Sequence, residues 1–551
     1  MFRQKKQQNI LENKYSFCEM KEIIQEMLHD YTEMAPKESM YEEELQKNQD
    51  EHRRMVSNCI RNCASGNYGA KETVLELIDN FLKERQFDIR YLIPFHEPER
   101  MTSWQRMEAL LFFFEKEKEN GGFERLCESA GWNYNGCVVT NADFERLYNE
   151  VHPVFTLVEE RRILTQLLFA GTVGLGIIDS LNQQKGFIEE IQIGMSGKAE
   201  QQYDYRKVFL TEKRKDSFNR DGIHIMARGS TIWLKALSFE TENELQRVLR
   251  NLIKGAGGGE LTKNHPMLVV DTSDGRRISV SRPPLTDAWI GLIRKFDTVQ
   301  EASLRKLYQG YPEEVILPEI IKQIVRSGRN VAITGEMASG KTTLFRACLA
   351  EVRQDKNIRV IEADSFELNI RSFLPNANTV TMRVTEQMPA EEVLAFARKT
   401  TGQIFAIGEI NSASMATMAM DLSKVASQLL FSAHYVTTEH MIADFVNAKL
   451  CVGGYSEETL AELDVIRCLG FDIHLRVKAG RRYVQYINEI VPCMKKGVSR
   501  RSTYEIREIY RYDEEKGQGI LVNTPGEISY ERAKQLLGKE EYMEFVRTFE
   551  Q

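Results

Sequence analysis

Residues Gly335 to Thr342 read GEMASGKT and satisfy the spacing G-x-x-x-x-G-K-[ST]. Glycines at these positions let the chain turn tightly enough for several backbone N–H groups to converge on one anion. The lysine adds a mobile cation, and the threonine adds a hydroxyl that can ligate a divalent metal. The chemistry implied is capture of a nucleotide's phosphates, with Gly335, Ser339, Gly340, Lys341, Thr342 and Thr343 as candidate contacts and Thr342 as a candidate Mg2+ ligand. Capture is not turnover, because hydrolysis also needs a carboxylate that orients or deprotonates water. Candidate acids stand where apolar runs end: Glu409 in IFAIGE, and Asp364 and Glu367 in VIEADSFEL. His434 follows a third such run, LLFSAHY. A lone acid at a strand end is more often a surface or capping group, and a lone histidine more often a satisfied interior one. Their claim rests on appearing together near a phosphate loop.

A glycine loop binds phosphate only where a strand delivers it and a helix N-terminus receives it. NVAIT precedes this loop as an apolar strand, and LFRACLAEVRQ follows as a helix. The strand-like runs IRVIEA and QIFAIGE come next, with helical PAEEVLAFARKTT between them, while PEEVILPEIIKQIVRSG reads as a helix ahead of the loop. Strands alternating with helices predict a mostly parallel, three-layer α/β domain over residues 315–495, followed by a tail over 496–551. Residues 156–297 have another texture: FIEEIQIG, GIHIMARGSTIWLKA and MLVVDTSDGRRISVSRPPL are β-branched runs around one helix, TENELQRVLRNLIKG, and SDGRR reads as a hairpin turn. This is an α+β domain, joined to the α/β domain by a linker over 298–314. Over residues 1–155, FCEMKEIIQEMLHDY, KETVLELIDNFLKERQF and SWQRMEALLFFFEKEKE place apolar residues at i, i+3, i+4. They predict a helical extension without catalytic signals, read by default as a docking or oligomer-capping segment.

With 551 residues the chain has room for three or four such units. A composition of 42% hydrophobic and 28% charged residues predicts that most of it folds, and a net charge of -7 argues against nucleic acid as the main partner. The basic clusters EKRKD and KKGVSRR read as solvated surface. The nine cysteines are scattered, without an accompanying histidine cluster, and read as thiols in a reducing compartment rather than zinc ligands or disulfides. The start, MFRQKKQQNILENKYS, lacks the apolar stretch of a signal peptide. The longest apolar run, Ile163 to Ile178, holds Gln166 and three glycines and falls short of a membrane span. The expectation is a cytoplasmic protein. No LSGGQ-like stretch supports an ABC-type transporter subunit.

The order of phosphate loop, acidic box, strand-glutamate box and histidine box resembles the secretion ATPases of type II, type IV and tight-adherence pilus systems, with the CpaF-like branch the nearest match. GLGIIDSLN, FIEEIQI, GIHIMARG, HPMLVVDTSDGRRISVSRPPL and IRKF match that family's N-terminal domain in order, so the resemblance spans roughly 165–495. It implies a RecA-like P-loop NTPase domain preceded by a PAS-like α+β domain that covers the nucleotide. ATP and Mg2+ are the implied cofactors, and the implied assembly is a hexamer working on a polytopic inner-membrane platform protein. By the same resemblance Glu409 is the Walker B glutamate and a metal ligand, Glu367 polarises water, His434 senses the γ-phosphate, and Arg277 and Arg294 reach the nucleotide from the N-terminal domain. The chain departs from the family pattern at Ala363–Asp364, where Glu-Asp is usual, at Thr401–Gln403, where Arg-Pro-Asp is usual, and at Asn411, which replaces an arginine. Two functions follow as expectations: an ATP-hydrolysing motor for pilus assembly or secretion, or a nucleotide-binding regulatory subunit with little hydrolysis.

Overall fold

The computed structural model describes residues 15–550 apart from 34–53, 64–67, 86, 117–120, 133–135, 185, 196–221, 228–229, 273–274, 296–302, 354, 364–366, 386, 453–454, 456, 479–480 and 494–502. Asp364, both basic clusters, the tip of the SDGRR turn and the first part of the expected linker lie outside the described residues. The chain divides into two compact units, Met1–Thr298 and Val299–Gln551.

In the first unit the three amphipathic segments form the helices Phe17–Glu33, Lys71–Glu84 and Ser103–Glu115, and helix Leu157–Thr172 packs with them. Their starts carry local signals. Thr102 accepts from the Gln105 N–H while Gln105 reaches back to the Thr102 N–H, and Thr156 and Glu159 form the same reciprocal cap. Six antiparallel strands follow in the spatial order β3-β2-β1-β6-β5-β4: β1 Ile188–Ile193, β2 Ile223–Ala227, β3 Ser230–Trp233, β4 Met267–Asp271, β5 Arg276–Ser281 and β6 Ile290–Lys295. The alternating burial of β2 matches a strand with one face on a core. Helix Glu242–Gly255, capped by Thr241, buries Leu245, Val248, Leu249 and Leu252. One hydrophobic cluster runs from Met20 and Ile24 through Val74, Leu110 and Leu168 to Ile191, Ile225 and Ile293, so residues on both sides of position 155 share a core. The apolar run from Ile163 lies largely in helix Leu157–Thr172, where it buries Ile163, Leu164, Leu167 and Leu168. Among the described residues no helix is long and apolar enough to cross a membrane.

The second unit is built on nine strands in the order β15-β14-β13-β12-β7-β11-β10-β8-β9. Their ranges are β7 Val331–Gly335, β8 Ile358–Ala363, β9 Thr379–Val384, β10 Ile404–Ile410, β11 Gln428–Ala433, β12 Phe471–Lys478, β13 Arg481–Pro492, β14 Tyr504–Asp513 and β15 Gln518–Leu521. From β12 to β9 every neighbouring pair is parallel, and β13 to β15 extend the sheet antiparallel. All five residues of β7 and all six of β11 are buried, as expected of parallel strands covered on both faces. One apolar cluster gathers Ile320, Ile333, Phe345 and Ile473, and a second gathers Ile407, Met418, Phe431 and Phe445, giving three layers. The two-sheet, mixed α/β architecture is consistent with the expected RecA-like P-loop fold. The strand order turns back around β7, and in such sheets ligands bind beyond the carboxyl ends of strands at the turning point.

The described residues of the tail over 496–551 continue this unit. β14 and β15 continue its sheet, and Phe545 and Phe549 of helix Lys539–Phe549 enter the first of its two clusters. Glu489, buried on β13, accepts from the Gly526 N–H at 2.6 Å and from the Ser529 hydroxyl, seating the start of helix Glu527–Leu536. Phe545→Ala is therefore expected to destabilise the second unit by about 3–5 kcal/mol. Urea unfolding measures this, and a loss below about 1 kcal/mol would show that the tail contributes no core.

Candidate functional site

β7 ends at Gly335 because only glycine fits there: its φ is 140°, and a Cβ would lie 2.3 Å from the Leu475 carbonyl oxygen on β12. The loop then turns through Ala338 at φ 60° and Gly340 at φ 92° before helix Lys341–Glu351 begins. A left-handed alanine is strained, and the Arg482 Nε–H of β13 braces it by donating to the Ala338 carbonyl at 2.9 Å. The first-turn N–H groups of this helix and the positive end of its dipole face the loop. Ser339 is fully buried, and its Oγ has no hydrogen-bond partner among the described residues. Thr342 and Thr343 are half-buried on the first turn. A buried hydroxyl, converging N–H groups and a lysine form a donor set that fits a polyphosphate.

Lys341 is buried, and its Nζ donates to the carbonyls of Gly335 at 3.0 Å and Glu336 at 2.7 Å. It also lies 3.0 Å from His434 Nδ1, while His434 Nε2 lies 3.2 Å from Glu409 Oε1. An ammonium can only donate, so Nδ1 accepts and the imidazole proton sits on Nε2, facing the carboxylate. Glu409 reaches this chain through an irregularity in β10: Ile407 pairs with Phe431 and Ile410 with Ala433, so three steps on β10 match two on β11. A bulge of this kind re-aims a side chain beside a site. The Ser432 hydroxyl holds it by donating to the Gly408 carbonyl. The structure thus brings together the glycine loop, Lys341, His434 and Glu409, three residues far apart in sequence.

Glu367 is reached from the loop helix. Arg346 donates through Nε to the Leu368 carbonyl at 3.1 Å and through Nη2 to the Glu367 carbonyl. The Leu368 N–H in turn donates to Oε2 of buried Glu362 at 2.9 Å, and Glu362 Oε1 has no hydrogen-bond partner among the described residues. Burial pushes the Glu362 carboxyl up to about 7, and the charge of nearby Glu367 adds to this. A carboxyl raised in the folded state contributes stability that is full below its unfolded value and is lost as pH rises toward the folded one. Glu362→Gln keeps the acceptor and removes the charge. It is therefore expected to match the parent near pH 4 and to exceed its stability by up to about 3 kcal/mol near pH 8, read by urea unfolding at both pH values. A gain equal at both would refute the burial account.

Arg277 and Arg294 belong to the first unit, where they are cross-strand neighbours on β5 and β6. Asp271 stands opposite Arg277, with Oδ1 3.2 Å from its Nε, and Glu190 stands opposite Arg294. Two like charges side by side repel, and the Asp271 carboxylate paired with Arg277 offsets this in part.

The three departures from the family pattern lie at different places. Ala363 and Asn411 stand at the carboxyl ends of β8 and β10. Thr401 stands beyond the amino end of β10, in a left-handed conformation at φ 51°, and its carbonyl accepts from Asn357 Nδ2 at 3.0 Å. Residues Ile404 to Gly408 of β10 lie between it and Glu409, roughly 17 Å of strand, too far for a lost charge there to act on the site by contact.

A buried polar group behind the loop left a signal in the sequence that motif reading passes over: FDIHL places two polar residues inside an apolar strand. These are Asp472 and His474 of β12. Asp472 is pushed up to about 6 by burial, against hydrogen bonds from Thr334 and Thr438. His474 is pushed down to about 4 by burial and by the charges of Lys341 and Arg476, so its ring is neutral. It stacks on Tyr486 with ring centroids 4.6 Å apart.

No family model matches the sequence. An uncharacterized protein of Bacillus anthracis is 20% identical over 368 residues, which cover 63% of this chain and 75% of that one. Among solved structures, the VirB11 ATPase of the Brucella suis type IV secretion system is 16% identical with a TM-score of 0.28, covering 56% of this chain and 91% of that one. The pilus retraction motor PilT, solved with bound ADP, is 12% identical with a TM-score of 0.36, covering 65% of this chain and 93% of that one. The ATPase DotB of Legionella pneumophila is 13% identical with a TM-score of 0.37, covering 71% of this chain and 96% of that one. At these identities and scores the functions of those proteins do not carry over to this chain.

Proposed function

We propose that this protein is an ATP-hydrolysing motor of a pilus-assembly or secretion machine, working at the cytoplasmic face of a bacterial inner membrane. The observation that carries the reading is the chain from Lys341 through His434 to Glu409 at the carboxyl ends of β11 and β10, beside a regular phosphate loop. Loop N–H groups and Ser339 bind phosphate oxygens, and Lys341 neutralises the β- and γ-phosphates. Thr342 and Glu409 would hold Mg2+, which would supply Lewis-acid stabilisation of the transferring phosphoryl group. As Lys341 turns to phosphate, His434 Nδ1 loses its donor, and the hold of Nε2–H on Glu409 changes with it. The histidine in this way reports the γ-phosphate to the acid. Glu409 orients the attacking water, with Glu367 as a second acid.

Arg277 and Arg294, cross-strand neighbours on β5 and β6, join the reading as further nucleotide contacts on the strength of the resemblance alone. A homo-hexamer acting on a polytopic inner-membrane platform protein completes the reading, with the helical segment of the first unit choosing the partner. Ala363 and Asn411 at the site's edge favour a second reading, a nucleotide-binding regulatory subunit with little hydrolysis. Steady-state ATP hydrolysis by the full chain separates the two: turnover no greater than that of Lys341→Ala and Glu409→Gln sinks the motor.

A further inference from the structure

Asp472 is fully buried on β12, and each of its oxygens takes one hydroxyl. Oδ1 accepts from Thr334 Oγ1 at 2.6 Å and Oδ2 from Thr438 Oγ1 at 2.7 Å. Thr334 immediately precedes Gly335 and so belongs to the strand that ends in the loop of Lys341. Thr438 lies four residues after His434 and is the first residue of helix Thr438–Cys451. The remaining valences are satisfied locally. Asn488 Nδ2 donates to Thr438 Oγ1 at 3.0 Å, and His474 Nδ1 lies 2.8 Å from Thr334 Oγ1. Thr334 has one hydroxyl proton, and it goes to Asp472. His474 must then donate from Nδ1, which fixes its tautomer.

β7 and β12 already pair in register, with Asp472 opposite Ala332 and His474 opposite Thr334, so the sheet does not need this carboxylate to align the two strands. A buried carboxylate carries a desolvation cost, and what it adds here is a rigid link between the loop strand and the segment carrying His434. The 3.0 Å contact between Lys341 and His434 spans those same two segments.

We infer that Asp472 is a positioning residue for ATP hydrolysis, setting the distance between Lys341 and His434 through Thr334 and Thr438. This rests on the ATP reading of the site. Thr438→Val cuts one side of the link while leaving the loop strand tied. In the full chain it is expected to lower kcat about tenfold to a hundredfold, because a displacement of about 1 Å is enough for that loss. The dissociation constant for a fluorescent N-methylanthraniloyl-ATP should change less than about threefold, since the loop itself is untouched. Thr438→Ser, which restores the hydroxyl, is expected to bring kcat back to within about twofold of the parent. Asp472→Asn, which replaces one acceptor by a donor, should show the same loss of kcat, and it decides the case if Thr438→Val does not fold. A parent-like kcat in Thr438→Val, or a Ser variant as impaired as the Val variant, overturns the inference and leaves the ATP reading standing. A parent chain that does not bind the fluorescent nucleotide sinks both.

Discussion

Lys341→Ala is expected to reduce ATP turnover at least about a hundredfold and to weaken nucleotide binding in parallel, because one side chain serves both ground state and transition state. The residue is buried among acceptors: two loop carbonyls and the Nδ1 of His434 all take hydrogen bonds from its ammonium. Alanine leaves these acceptors without their donor, so a stability loss of about 1–3 kcal/mol should accompany the loss of function. Lys341→Arg should not rescue turnover, since a planar guanidinium is too broad to replace a point charge seated between Gly335 and His434. Turnover by the alanine variant within about threefold of the parent would remove the phosphate loop from the mechanism.

Glu409→Gln should behave differently. The amide keeps the size of the side chain and an oxygen that can still accept from His434 Nε2, so the Lys341–His434 arrangement should survive. Glutamine cannot take a proton from water and is a weaker metal ligand. kcat is therefore expected to fall about 10²- to 10⁴-fold, with the affinity for ATP changed less than about threefold. Steady-state hydrolysis together with equilibrium nucleotide binding measures both quantities. A loss of affinity with kcat unchanged would assign Glu409 to binding alone. Undiminished kcat would pass the water-orienting role to Glu367, which the loop helix holds in place through Arg346.

The phosphate loop was legible because its geometry is local. Each of Gly335, Gly340, Lys341 and Thr342 acts within one strand–turn–helix unit, so residue type and spacing specify it. Apolar runs such as VAIT and LLFSA likewise marked strands buried on both faces. The candidate acid and histidine were legible as positions at strand ends, but their joining was not. His434 reaches both Lys341 and Glu409 only because β11 lies between β7 and β10, an order that follows from how the sheet winds. The bulge that turns Glu409 toward β11 depends on the register between two strands, and no single segment encodes it.

Several residues that shape the site carried no motif. Arg482 braces the loop from an antiparallel strand more than a hundred residues downstream. Asp472 and His474 looked like interruptions in an apolar run until the sheet set them beside Thr334. Glu362 belongs to no motif, and its burial with an oxygen on the Leu368 N–H makes it a structural group. Thr401, where the resemblance would have an arginine, lies at the far end of β10 from Glu409.

By itself the sequence determined the phosphate loop, the elements that flank it and the alternation that makes the second unit a parallel α/β sheet, because these depend on interactions between residues close along the chain. Tertiary structure alone decided which acid faces His434, what steadies the loop, and that the C-terminal residues complete the second unit's core. Those outcomes depend on strand order and register, which bring together groups as close along the chain as Glu409 and His434 and as distant as Ala338 and Arg482, and bury some of them where water would otherwise screen their charge.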